Sequence, residues 1–311
     1  MISRLGKRKK RRWLFWAGGI LLVFLLAVFS YTAFIYNQVD ETVEVMHEPL
    51  ERDLDPAQKQ LVEEVFESEQ TLNILLLGVD EREADSGRSD TMILLSANPQ
   101  TDEMLMLSIP RDTRTVIPGY GEDKINHAYA FGGTELAVQT VENLFDIPVH
   151  FYVKVNMEGF IQGIDAIDGE TVVNDFAFTQ DGTTFPAGDI HLTGKEALDY
   201  TRMRKEDPQG DIGRNERQRQ VIRAAMDKVA DASSFSRINE ILTVLGENVR
   251  TNLTMKDMRA IFADYRQARK NIQTLELDGT GQMLDNIWYY LVPEQEINRI
   301  QAVFQSHANE A

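Results

Sequence analysis

Three patterns of apolar and polar positions follow one another along the chain. Residues 13–36 form one uncharged run of 24 residues, from Trp13 to Tyr36. Residues 37–70 are largely polar and read as a stalk. Within them Asp55-Pro56 suits a helix start, with Leu61, Val62, Val65 and Phe66 at helical spacing behind it. From residue 71 short apolar runs alternate with turn signals. Leu72–Val79 is almost continuously apolar, which predicts a strand buried on both faces. Thr91–Ala97 and Glu103–Ile109 predict two more strands, divided by the Asn98-Pro99-Gln100-Thr101-Asp102 turn. Further strands are expected at Phe151–Val155, Thr171–Thr179, Thr274–Leu277 and Ile287–Leu291. Helices are expected at Thr134–Phe145, Met157–Ile167 and Gly213–Ala230, from Thr254 to about Lys270, and after Pro293. Thr193-Gly194-Lys195-Glu196 has the form of a capping box and predicts a short helix through Tyr200. Strands and helices interleave, so the expected body is α/β, with helices on a central sheet. No repeat, low-complexity tract or linker interrupts residues 71–311, which read as one domain.

The uncharged run changes the picture of where that domain sits. As a helix, 24 residues reach about 36 Å, enough to cross a hydrocarbon core of ~30 Å. Trp13 and Trp16 stand at one end, Tyr31 and Tyr36 at the other, as interfacial aromatics do. Residues 1–12 hold Arg4, Lys7, Arg8, Lys9, Lys10, Arg11 and Arg12 and no acid. Their charge places this tail in the cytoplasm and residues 37–311 outside. The exit sequence Phe29-Ser30-Tyr31-Thr32-Ala33-Phe34 lacks a small-x-small cleavage site. The expectation is therefore an uncleaved, single-pass anchor in the cell membrane.

Composition narrows the function. Apolar residues make up 43% and charged residues 26%, as in a folded chain. There is no cysteine, which excludes disulfides, thiolate metal sites and cysteine nucleophiles. Seven of the 32 basic residues and none of the 49 acids precede Trp13, so the remainder carries a net charge of −24. Such a surface repels nucleic acid.

Against that acidity, two constellations carry candidate chemistry. Residues 78–90 read GVDEREADSGRSD. Asp80 ends the first predicted strand and Asp90 starts the second. A meander would bring Asp80, Arg88, Asp90 and Arg111 to one sheet edge. Two carboxylates close together call for a cation or a proton between them. Oxygen ligands without His or Cys suit Mg²⁺ or Mn²⁺. The local sequence is equally compatible with a plainly solvated loop. Residues 200–226 hold seven basic residues, among them Arg202, Arg204 and Arg214, in a domain that is otherwise acidic. Arg202 and Arg204 are two apart, so an extended segment would point both the same way. Asp211 can cap the helix that follows. On that helix Arg214 and Gln218 share the core-facing stripe with Val221 and Ala225, while Arg219 and Arg223 fall on the far, solvated side. Bidentate guanidinium groups turned inward need anions, either protein carboxylates or phosphate. Lys124-Ile125-Asn126-His127 precedes a Gly132-Gly133 turn and could line the same cleft. No Gly-rich phosphate loop and no serine-nucleophile elbow is present.

These motifs, LLLGVDER, GRSDTMIL, LSIPRDTR, KINHAYAFGG and HLTGKEALDYTRMRKEDPQGDIGRNERQRQVI, closely resemble those of the LytR-CpsA-Psr family, in the family's order over residues 71–231. The resemblance implies a central mixed sheet flanked by helices, with a hydrophobic cavity for an isoprenoid tail. It also implies an extracytoplasmic phosphotransferase. Such an enzyme moves an anionic glycopolymer, here expected to be wall teichoic acid, from an undecaprenyl pyrophosphate carrier onto peptidoglycan. By motif, Asp80 and Asp90 correspond to the metal-associated aspartates. Arg88, Arg111, Arg202, Arg204, Arg214 and Gln218 correspond to the pyrophosphate-binding set, and Asp80, Asp90, Arg111 and Asp211 to catalytic positions. Two other readings are a hydrolase that releases isoprenoid phosphate to water and a non-catalytic envelope sensor that attenuates transcription. Only about twelve cytoplasmic residues argue against direct DNA contact.

Overall fold

The computed structural model describes residues 5–80, 87–229 and 237–310; the side chains of residues 5–24 and of Asp211 lie outside that description. In chain order the elements are α1 (Leu5–Met46), α2 (Pro56–Glu67), β1 (Leu72–Val79), β2 (Ser89–Asn98), β3 (Glu103–Ser108), β4 (Arg114–Ile117), β5 (Gly121–Lys124), α3 (His127–Phe145), β6 (Phe151–Asn156) and α4 (Met157–Ala166). There follow β7 (Glu170–Asn174), β8 (Phe178–Gln180), β9 (Thr183–Phe185), β10 (Gly188–Leu192), α5 (Gly194–Arg202), α6 (Asp211–Val229), α7 (Ile238–Asn248), β11 (Val249–Thr251), α8 (Met255–Ala260), β12 (Ile272–Leu275), β13 (Thr280–Leu284), β14 (Ile287–Leu291) and α9 (Glu294–Asn309).

A six-stranded mixed sheet, ordered β11-β6-β1-β2-β3-β12, forms the centre. β1, β2 and β3 make the expected antiparallel meander, while β6 runs parallel to β1 and β12 parallel to β3. Alternation along the strands splits the core by face. Leu75, Leu77, Met92, Leu94, Leu105 and Leu107 pack under α3 and α9, against Val138, Phe145, Ile300 and Phe304. Leu72, Ile93, Leu95, Met104 and Met106 face the other way, with Val65 of α2, Tyr265, and Ile222 and Met226 of α6 packed on them. A separate apolar cluster joins α4, α5 and the small strands: Ile164, Val172, Phe178, Phe185, Leu192 and Tyr200, with Val221 of α6. α6 therefore stands between two clusters.

Several expectations need correction. The single strand expected over Thr171–Thr179 is two, β7 and β8, which pair with β10 and β9 respectively. The helix from Thr254 keeps its capping box but is short. It passes into a π segment at Ile261–Tyr265 and a 3-10 turn at Ala268–Lys270. Residues 37–70 do not stand clear of the domain as a stalk would. Val43, Met46 and Leu50 are buried, Arg52 pairs with Glu142 at 2.7 Å, and α2 starts at the Asp55 cap as expected. Its Val65 joins the core, so the apolar spacing of that segment reflects docking. Residues 13–36 lie wholly within α1, and among the described residues no helix is long and apolar enough to cross a membrane.

Candidate active site

β1 and β2 run in register until their last pairs. Gly78 opposes Thr91 but Val79 opposes Ser89, which leaves Asp90 as one extra residue in β2. Such a bulge re-aims its side chain. Here Asp90 accepts a hydrogen bond from Arg111 Nη1 at 2.9 Å. Arg111 comes from the segment after β3, so the meander joins the two as the sequence suggested. Gly78 is part of the same geometry, because a Cβ there would lie 3.0 Å from Thr91 Cβ.

Beside this edge opens a cavity of about 610 Å³. It is the space left between the sheet and the α4–α5–α6 layer. Leu76, Val153, Val155, Phe160, Leu198 and Ile222 line its bore. Asp90, Arg111, Arg202, Arg204, Arg214 and Gln218 line it as well, with Lys205, Asn156 and Gln180. Six of the nine candidate site residues thus meet at one cavity. Two others lie outside its lining. The Asp80 N–H donates to the Arg88 carbonyl at 3.1 Å, and Arg88 points to solvent. Asp211 is the first residue of α6, and its side chain lies outside the described residues.

Arg202 and Arg204 reach the cavity by a different route from the one expected. Arg202 ends α5, and the chain turns extended only at Met203. What holds the pair in place is Arg217, which the sequence reading did not select. Its guanidinium donates to the Tyr200 carbonyl at 3.1 Å, the Met203 carbonyl at 2.5 Å and Asp207 Oδ2 at 2.6 Å. It also lies over the Phe178 and Tyr200 rings. Burial pushes the Tyr200 phenol up to about 12, so it stays neutral in this wall.

The far-face assignment of Arg219 and Arg223 is overturned. Arg219 is 2% exposed and donates to Ser108 Oγ at 3.1 Å and to Glu216 Oε2 at 2.9 Å. Arg223 donates to Thr274 Oγ1. Both tie α6 to the β3–β12 side of the sheet. The stripe through Val221 marked one buried face, but α6 has two. Lys124 and Arg114 are likewise structural, pairing with Asp112 and Glu122 at 2.6 Å each.

The LytR_cpsA_psr family model matches residues 33–306. The chain belongs to the LytR-CpsA-Psr family. A relative from Oceanobacillus iheyensis, named polyisoprenyl-teichoic acid–peptidoglycan teichoic acid transferase TagU, is 52% identical and is aligned over 100% of both chains. The crystal structure of Bacillus subtilis TagU is 43% identical, with a TM-score of 0.63 over 78% of this chain and 98% of that one. TagT bound to LIIa-WTA is 30% identical, with a TM-score of 0.65 over 78% and 92%. For this LytR-CpsA-Psr chain, four of the five motif-derived arginines line the cavity and Arg88 does not. The clamp residue Arg217 sits inside the same DxxRxxxQ stretch as Arg214, yet its spacing alone did not separate it from the solvated residues.

Proposed function

We propose that this chain transfers wall teichoic acid from an undecaprenyl pyrophosphate carrier onto peptidoglycan, forming a phosphodiester. The observation that carries this reading is an apolar bore that shares its walls with four arginines. A prenyl chain fits the bore, and two linked phosphates fit the guanidiniums. An acceptor hydroxyl attacks the sugar-bearing phosphorus. The bond from that phosphorus to the oxygen bridging the two phosphates breaks, and undecaprenyl phosphate leaves. Arg111, Arg202, Arg204 and Arg214 stabilise the charge that grows on the leaving phosphate. A carboxylate at the edge of the cavity accepts the hydroxyl proton. Most of the acceleration comes from holding acceptor and phosphorus together.

A divalent ion, Mg²⁺ or Mn²⁺, belongs to this reading. Asp80 and Asp90 would hold it. Two carboxylates with pyrophosphate oxygens and water make the hard, incomplete protein ligand set that Mg²⁺ favours. Asp90 is the one aimed at the cavity by the bulge. Bound there, the ion would supply further neutralisation of the phosphate oxygens. The purified chain given lipid-linked donor and a muropeptide acceptor is expected to form the phosphodiester product. Asp80→Asn and Asp90→Asn should lower turnover at least tenfold with thermal stability kept. Product formation only with water as acceptor would replace transfer by hydrolysis, and undiminished EDTA-resistant turnover in both variants would remove the metal.

We also infer that residues 13–36 anchor the chain, with residues 1–12 cytoplasmic and the domain outside. Leu25, Phe29 and Phe34 are exposed on α1, which supports burial in lipid. A reporter fused after Ala311 should be active only outside the cytoplasm. Activity inside, or a mature N-terminus near residue 34, contradicts the anchor.

A further inference from the structure

The domain already touches α1 where the uncharged run ends. Arg259 of α8 lies over the Tyr36 ring, 5.9 Å from its centre, and Ile35 and residues 38–40 are half-buried. α8 is therefore level with the end of that run. The helix and the π segment that continues it are pinned by their inner side. Thr254 caps α8 through Asp257, Met258 and Ile261 pack on the cluster around Leu72 and Met106, and Tyr265 Oη donates to the Gln70 carbonyl at 2.6 Å. What faces outward is fixed by that packing. Arg259, Phe262, Ala263 and Arg266, at spacings of three and four, are all exposed. Phe262 is 68% exposed, and among the described residues outside α1 no large apolar side chain is more so. Arg266 lies over its ring at 5.4 Å. Residues 255–270 hold five basic and two acidic side chains, a local reversal of the domain's acidity. Lys256 and Arg269 pair with Glu63 and Asp227, which leaves Arg259 and Arg266 as the cations beside Phe262.

We propose that this face is a second membrane contact, docked on the anionic surface of the bilayer that holds α1. It rests on the anchor reading above. Phe262 enters the boundary between headgroups and acyl chains, and Arg259 and Arg266 meet lipid phosphates. Arginine suits this place because its stem lies along apolar surface while its head stays with the phosphates. The tyrosine that Arg259 covers is itself the interfacial aromatic of the run. The same headgroups repel the acidic surface elsewhere on the domain, so attraction is confined to this face. A single helix leaves the tilt of a domain on the bilayer free. A second contact fixes it, and with it the side of the domain that a membrane-borne carrier meets.

The chain has no cysteine, so each one introduced is the only thiol for a nitroxide label. Full-length protein with Ala263→Cys is reconstituted in vesicles of phosphatidylglycerol and phosphatidylcholine. Collisions of the label with oxygen and with a water-soluble nickel chelate are then compared. Phe29→Cys, on the uncharged run, reports the anchor in parallel. Both labels should favour oxygen. Arg259→Gln and Arg266→Gln should each weaken the docked state about fivefold, and Phe262→Ala about tenfold. The triple variant should return the label at 263 to water while the label at 29 stays in lipid. Arg→Lys at both positions keeps the charge and should keep most of the docking, whereas vesicles of phosphatidylcholine alone should weaken it. The three side chains are exposed, so Tm should stay within about 2 °C of the parent. A label in water at 263 with a label in lipid at 29 overturns the contact and leaves the anchor standing. Labels in water at both positions overturn the anchor, and the contact with it. Unchanged immersion at 263 in the triple variant also overturns the contact. So does shielding from both probes that grows with the protein-to-lipid ratio, which would assign the face to a second copy of the chain.

Discussion

Arg214→Ala is expected to abolish most transfer, with turnover down roughly a hundredfold. The residue is buried at the start of α6 and lines both the apolar cavity and the neighbouring cleft. A charge-assisted contact to phosphate is worth about 1.5–3 kcal/mol, or roughly ten- to a hundredfold. Arg202→Ala and Arg204→Ala, at exposed positions on the same cavity, should each cost about tenfold. Arg→Lys at these positions retains charge but loses the planar fork, so it should impair nearly as much as alanine. Lys256→Ala is the silent control, because that side chain pairs with Glu63 on the open surface, away from the cavity. Arg219 cannot serve as one, since its burial makes any change there a change in folding. Lipid-pyrophosphate binding and transfer are measured side by side. Turnover of Arg214→Ala within a factor of two of Lys256→Ala would remove the arginines from the phosphate site.

The largest stability loss is expected at Arg217→Ala. Arg217 and Asp207 are a buried pair, with side chains 6% and 3% exposed. Removing one member of such a pair typically costs about 3–5 kcal/mol, because the other charge stays buried alone. Two backbone carbonyls, of Tyr200 and Met203, lose their donor as well. A fall in Tm of roughly 10 °C is expected for a domain of this size. The turn between α5 and α6 should also loosen, so donor affinity should fall at temperatures where the domain is still folded. A Tm within about 2 °C of wild type would show that the clamp is not needed.

The central meander was legible because Leu72–Val79 and Thr91–Ala97 are too apolar for anything but buried strands. The convergence of Asp90 and Arg111 followed from the return of the third strand, Glu103–Ser108, to the same sheet edge. The bulge at Asp90 was not legible. It depends on Gly78 admitting Thr91 at close range, which is a property of two strands together. The short hairpins were missed for a related reason. Gly121–Lys124 reads Gly-Glu-Asp-Lys, with no apolar alternation to mark a strand. The error on α6 is more instructive. A helix wheel reveals the widest apolar stripe, here through Val221 and Ala225. It is blind to a second face covered through arginine stems, where Arg219 bonds Ser108 and Arg223 bonds Thr274. Arg202 and Arg204 reached the cavity although the parity argument used the wrong local structure. Arg202 is helical, and the Arg217 clamp aims the pair instead.

α1 continues without a break through Tyr36 and ends at Met46, where Val43 and Met46 are buried and His47 bridges Thr251 of β11. The joint between the apolar run and the domain is thus a rod. It acts as a spacer of fixed height and fixed azimuth. The ten residues after Tyr36 add about 15 Å of rise along the helix. Each residue added to or taken from that stretch would turn the cavity about 100° around the rod while moving it only ~1.5 Å. On the proposed topology, the direction from which a carrier lipid meets the arginines is set by the residue count of a helix that touches none of them.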